Sequence, residues 1–175
     1  MLFRSARTLR ALLAEVVSRV RGVSPQRTIP VLVKVSPDMS DGDLLAAVDA
    51  SLEGGAAGVI ATNTTLARDH LHSTAGLAAE SGGLSGAPLR ARANHACRLL
   101  YRHFNGRAPI VGVGGIDSAD AAYERLRSGA SLIQVYTALI YEGPALVRRI
   151  LDGLAERLRR DGFSSIHDVI GTDVR

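Results

Sequence analysis

The 175-residue chain is 46% hydrophobic and 22% charged with a net charge of +4, which fits one soluble globular domain with a sizeable core. Its 21 basic residues are arginines except for Lys34, and with 4 Tyr, 3 Phe and no Trp there is no basic-aromatic interleaving, which argues against nucleic acid as a partner. Cys97 is the single cysteine, so no disulfide can form within the chain, and no apolar run approaches the length of a membrane span.

The elements follow in chain order. Leu9, Leu12, Leu13, Val16, Val17 and Val20 recur at helical spacing and predict an amphipathic helix ending near Gly22. The start of the chain has scattered charge and no small-residue cleavage site, so it does not read as a signal peptide. "VLVKV" is short, β-branched and flanked by prolines, and predicts a strand. A turn follows, then a cap at Ser40 or Asp41 and a helix closing at Gly54-Gly55. "GVIAT" is the second strand. A loop runs from about Leu66 to Ala87, too long for a plain connector, before a helix over Leu89 to Phe104. "PIVGV" is the third strand, followed by a helix from Ser118 to Ser128 that stops at Gly129. "LIQVY" is the fourth, with a helix from about Pro144 to Arg160. "SIHDVIG" closes the chain as a short turn or helix.

Strands alternating with helices predict a parallel sheet covered by helices. Two architectures fit, an open doubly wound sheet and a (β/α)8 TIM barrel. Barrels typically need about 250 residues. Four β/α units would be half of one, with residues 1–29 as a leading helix and loop, 30–160 as the units and 161–175 as a tail. A chain that opens on a helix is expected to be truncated.

Chemistry is expected beyond the carboxyl ends of the strands. Lys34 stands inside a strand, with Val33 and Val35 on the opposite face. An interior lysine costs several kcal/mol unless an anion meets it. Two readings stay open: a ligand contact, or a structural ion pair with the stem snorkelling to the strand end. "TNTT", Thr62 to Thr65, offers an amide and hydroxyls that suit a planar ligand with carbonyl and N–H groups, or else caps the loop. Gly112, Gly114 and Gly115 allow a tight turn and close approach to backbone N–H groups. With "VYTALIYEGP", they read as two consecutive loops that hold a phosphate. "GGLSG", Gly82 to Gly86, adds another flexible segment. His70 and His72 form an H-x-H pair without an evident third ligand, so no metal site is expected. Cys97 reads as a packed core thiol, and His95, His103 and His167 as surface residues. Asp38, Asp41 and Asp43 read as turn and cap residues.

The blocks "VKVSPDMS", "GVIATNTT", "GGLSGAPL", "PIVGVGGIDSADAAYERLRSGAS" and "IQVYTALIYEGP" occur in the same order as in class 2, quinone-linked dihydroorotate dehydrogenases. From about Pro30 onward the chain resembles the second half of that family's (β/α)8 barrel, roughly strands five to eight. The resemblance implies FMN as cofactor, with Lys34 at the flavin ring and Thr62 against the flavin. Asn63 and Thr64 would bond the pyrimidine of dihydroorotate or orotate. Gly86 and Gly115 would give backbone contacts to FMN, and Tyr136 and Thr137 would close the phosphate pocket. It also implies oxidation of dihydroorotate to orotate in pyrimidine biosynthesis, with quinone as electron acceptor, at the cytoplasmic face of the cell membrane. The class 2 base is a serine in the first half of the barrel, and nothing in this chain matches it. Membrane contact is expected only through a segment preceding the matched half. The chain alone is therefore expected to have little or no activity and to self-associate or aggregate. The alternatives are a non-catalytic half-barrel that binds FMN or phosphate, and another FMN-dependent barrel oxidoreductase.

Overall fold

A computed structural model describes residues 5–69 and 71–174. Four strands, β1 (Leu32–Val35), β2 (Gly58–Ala61), β3 (Ile110–Val113) and β4 (Leu132–Gln134), form one parallel sheet in the order β1-β2-β3-β4. Their predicted positions hold, each trimmed by a residue or two at its ends.

The helices are α1 (Ala6–Val23), α2 (Asp41–Glu53), α3 (Ala75–Ala78), α4 (Arg90–Phe104), α5 (Ala119–Arg127), α6 (Thr137–Glu142), α7 (Ala145–Arg160) and α8 (Ile166–Val169). Local chemistry sets their starts. The Ser40 and Ser118 hydroxyls accept from the N–H groups of Asp43 and Ala121, capping α2 and α5. Ser165 and Asp168 form a reciprocal capping box on α8. α1 lies close on α2 because Gly54 lacks a Cβ, which would stand 2.8 Å from that of Leu13.

Two predicted connections carry more structure than their sequence signalled. The loop from Leu66 to Ala87 contains α3 and an antiparallel bridge between Thr65 and Leu84. "VYTALIYEGP" is mostly α6, which starts at Thr137 and ends at Gly143 with φ +69°. Six helical residues between a strand end and Gly143 are too short for periodicity to reveal.

Sequential strand order combined with right-handed crossovers puts every connecting helix on the same side of a sheet. That decides between the two architectures. Val35, Val59, Ala61 and Ile110 alternate onto the helix side and pack with Leu44, Val48, Cys97, Leu100 and Phe104. A second cluster joins α5, α7 and α8 through Tyr123, Leu126, Leu146, Ile150, Leu154 and Val169. The opposite face carries Lys34, Ile60, Val111 and Leu132 at one level of the register. No helix covers this face among the described residues, and Leu132 is 59% exposed. The fold is half of a (β/α)8 barrel, seen with its interior open.

Candidate functional site

The strand ends deliver their side chains to a common rim. After β2, the Thr62 N–H donates to Val113 O of β3 at 3.0 Å and the Asn63 N–H to Val35 O of β1 at 2.7 Å. These bonds to both neighbours fix the "TNTT" backbone between them. Thr62 is buried, and its Oγ1 has no hydrogen-bond partner among the described residues. Asn63 and Thr64 are exposed toward the opening, and the Asn63 Oδ1 accepts from the Thr64 N–H at 2.9 Å. Thr65 is buried and donates to the Asp38 carboxylate, which also accepts from the Leu66 N–H at 2.7 Å. Asp38 therefore ties the turn after β1 to the segment after β2.

Gly82 to Gly86 folds back over that segment. The Thr65–Leu84 bridge holds it with bonds of 3.1 and 2.8 Å. Gly83 must be glycine there, because a Cβ would stand 1.9 Å from Thr64 Oγ1. Arg68 clasps the same segment through Gly82 O at 2.6 Å and Glu80 O at 3.1 Å. Ser85 accepts from Thr137 Oγ1 at 2.8 Å, which joins this segment to the turn after β4. Gly86, at φ +81°, faces the Thr137 methyl.

The turn after β3 is built for close approach. Gly114 and Gly115 have φ of +108° and +70°, where a side chain is strained. A Cβ on Gly115 would meet Arg90 backbone at 2.8 Å. Arg90 holds the turn from behind, donating through Nε to Gly115 O at 2.8 Å and pairing with Asp117 at 2.6 Å.

Together these segments enclose a cleft of about 710 Å³. Lys34, Thr62, Asn63, Thr64, Gly86, Gly115, Tyr136 and Thr137 all line it. The eight residues singled out in the sequence thus meet in one place, although they come from five segments. The volume is that of a site for a nucleotide-sized molecule.

Two placements differ from expectation. Lys34 does not face a closed interior: it is exposed and makes no ion pair among the described residues. Its face of the sheet is uncovered here, so the ammonium stays hydrated and carries no burial cost. Tyr136 lines the cleft but is 69% exposed, standing at its mouth. Of the H-x-H pair, His70 lies outside the described residues and His72 is exposed; no group of three metal-ligating side chains occurs among the described residues. Sequence reading missed Arg68, Ser85 and Arg90. Each acts on a backbone or hydroxyl partner distant in sequence, so no local signal marks it.

The family model described as dihydroorotate dehydrogenase matches residues 2–158. A dihydroorotate dehydrogenase (quinone) from Roseiflexus is 52% identical over 145 residues, covering 83% of this chain and 40% of the relative. Its counterpart from Anaeromyxobacter strain Fw109-5 is 48% identical over 166 residues, covering 95% of this chain and 45% of the relative. The crystal structure of the Eimeria tenella enzyme in complex with ferulenol superposes with a TM-score of 0.76 at 41% identity, covering 82% of this chain and 38% of that one. The chain thus spans less than half the length of the relatives it matches.

Proposed function

Since the chain belongs to the dihydroorotate dehydrogenase family, we propose that it supplies the flavin-holding wall, and part of the pyrimidine-holding wall, of a quinone-linked dihydroorotate dehydrogenase of pyrimidine biosynthesis. The observation that carries this reading is the convergence of Lys34, the "TNTT" segment and the Gly114–Gly115 turn on one cleft. The residues present fit FMN. The orphaned Thr62 Oγ1 is buried at the cleft wall, where a polar ring edge would satisfy it. Gly115 lines the cleft, and its N–H donates to no backbone group among the described residues, which leaves a donor for a phosphate.

Bound FMN supplies a hydride acceptor for dihydroorotate that is reoxidised by quinone. The protein's part is to bind and to polarise. Lys34, with no ion pair among the described residues, would set an ammonium where negative charge on the ring is stabilised. Asn63 and Thr64 present an amide and a hydroxyl to the carbonyl and N–H groups of the pyrimidine. Gly86 and Gly115 contribute backbone contacts, and Tyr136 and Thr137 close the phosphate end. We place the intact enzyme at the cytoplasmic face of the membrane as a peripheral protein. No helix among the described residues is long and apolar enough to cross a bilayer.

The test is direct. The purified chain is titrated with FMN and followed by flavin fluorescence, then assayed for dihydroorotate oxidation with a quinone. FMN binding is expected, with Lys34→Ala weakening it about tenfold, the equivalent of one charge-assisted contact. Little or no turnover is expected from the 175 residues alone, because they contain no match to the class 2 serine base. Failure to bind FMN would overturn the flavin reading. Robust turnover would overturn the assignment of the base to a different part of the barrel.

A further inference from the structure

Behind the Gly114–Gly115 turn lies a charge that the function above does not use. Arg125, on α5, is fully buried. Its Nε donates to Asn94 Oδ1 on α4, and its Nη2 donates to Gly114 O at 2.7 Å. Its Nη1 has no hydrogen-bond partner among the described residues. No carboxylate lies within ion-pair distance of it there either. Burial works against the charged form, yet a guanidinium does not lose its proton in a protein. A buried cation met only by neutral oxygens is expensive, and such groups are normally paired.

The position of the contact explains what the charge can do. Gly114 C=O and Gly115 N–H belong to the same planar trans peptide, so they point in opposite directions. Pulling the carbonyl toward Arg125 turns the Gly115 N–H away from the protein interior, on the cleft side of the turn. The Gly115 N–H donates to no other backbone group among the described residues. Hydrogen bonds in series polarise one another, and a charged donor does so most strongly. Arg90 treats the next peptide in the same way, through Gly115 O. The strand beneath leaves space for this arrangement: Gly112 lacks a Cβ, which would stand 2.5 Å from Arg125 Cγ.

We propose that Arg125 is a positioning residue for the ligand phosphate, a buried positive charge that acts through the Gly114–Gly115 peptide and selects a phosphorylated flavin over its unphosphorylated form. This rests on the flavin reading above. It assigns to α5 a part in ligand choice, although Arg125 does not line the cleft.

The experiment compares FMN with riboflavin, which differ only in the phosphate, by fluorescence titration of the full chain and its variants. Arg125→Gln keeps a donor but removes the charge, and Arg125→Lys keeps the charge. Melting curves establish that each variant is folded, and Arg125→Met serves as a third variant if Gln perturbs the core. The Gln variant is expected to weaken FMN about tenfold while riboflavin affinity stays constant, and the Lys variant to recover most of the loss. Raised salt should leave the ratio of wild-type to Gln-variant FMN affinity nearly unchanged, since the charge that separates them is buried. Equal weakening of both ligands, or of neither, would overturn the proposal while leaving the flavin reading intact. A wild-type chain that binds neither ligand would overturn both.

Discussion

Cys97 shows how a single buried group links packing to solution conditions. It is packed among Val59, Leu100 and Phe104 with no exposure, and burial pushes its thiol from 9.0 up to about 11, against the smaller opposing pull of Arg125 and Arg98. The unfolded chain therefore loses this proton near pH 9 while the native chain keeps it. The thiol's contribution to stability is complete below pH 9 and is lost as pH rises toward 11. Urea unfolding from pH 8 to 11 should show stability falling by up to about 1.4 kcal/mol per pH unit from this group. A Cys97→Ala variant should lack that component, at the cost of about 1 kcal/mol or more at neutral pH for the lost volume. The thiol should also resist disulfide reagents until the chain unfolds.

At the scale of elements, Tyr101 joins three parts of the structure. It lies on α4, between Gly129 before β4 and Gly171 after α8, and its hydroxyl donates to Ile170 O at 3.2 Å. Both glycines have positive φ, and a Cβ at Gly129 would stand 2.3 Å from that of Tyr101. Alanine at 129 therefore faces a backbone penalty and a collision together. Gly129→Ala should cost roughly 2–5 kcal/mol, measured by chemical denaturation. Tyr101→Phe keeps the ring and removes only a hydrogen bond to a half-buried carbonyl, so it should cost about 1 kcal/mol. The same layer carries two carboxylate–histidine bridges between α2 and α4, Asp41 with His95 at 2.8 Å and Asp49 with His103 at 2.7 Å. Both pairs span the α2–α4 layer whose buried side chains include Val48 and Leu100.

The molecule as a whole exposes 10469 Å². A compact monomer of 18.5 kDa is expected to expose about 8,200 Å². The uncovered sheet face and exposed apolar residues such as Leu132, Ile140, Tyr141 and Leu151 contribute to this excess. Among the described residues β1 and β4 also present unpaired edges, which invite another strand. The excess is larger than the roughly 800 Å² that each partner contributes to a standard interface. We propose that the isolated chain covers this face with a second copy of itself. It should elute from size exclusion well ahead of an 18.5 kDa standard, and Leu132→Asp should shift it toward the monomer. A monomer across the micromolar range would refute this.

Much of this was readable from residue order alone. The strands follow from β-branched runs between turns, the helix starts from Ser40 and Ser118, Lys34, "TNTT" and the Gly114–Gly115 turn from residue type and place, and Gly86, Tyr136 and Thr137 from the family resemblance. These signals are short in range and depend on side-chain period, capping and glycine geometry. Only the tertiary structure decided that the helices connecting the strands cover one face, because that needs the strand order together with the crossover hand. It alone showed Lys34 exposed, since strand alternation separates two faces without telling which is covered. It alone brought Arg125, Arg90 and Ser85 to their partners, across separations of 11, 25 and 52 residues. Contacts over such distances come from packing, which no local pattern encodes.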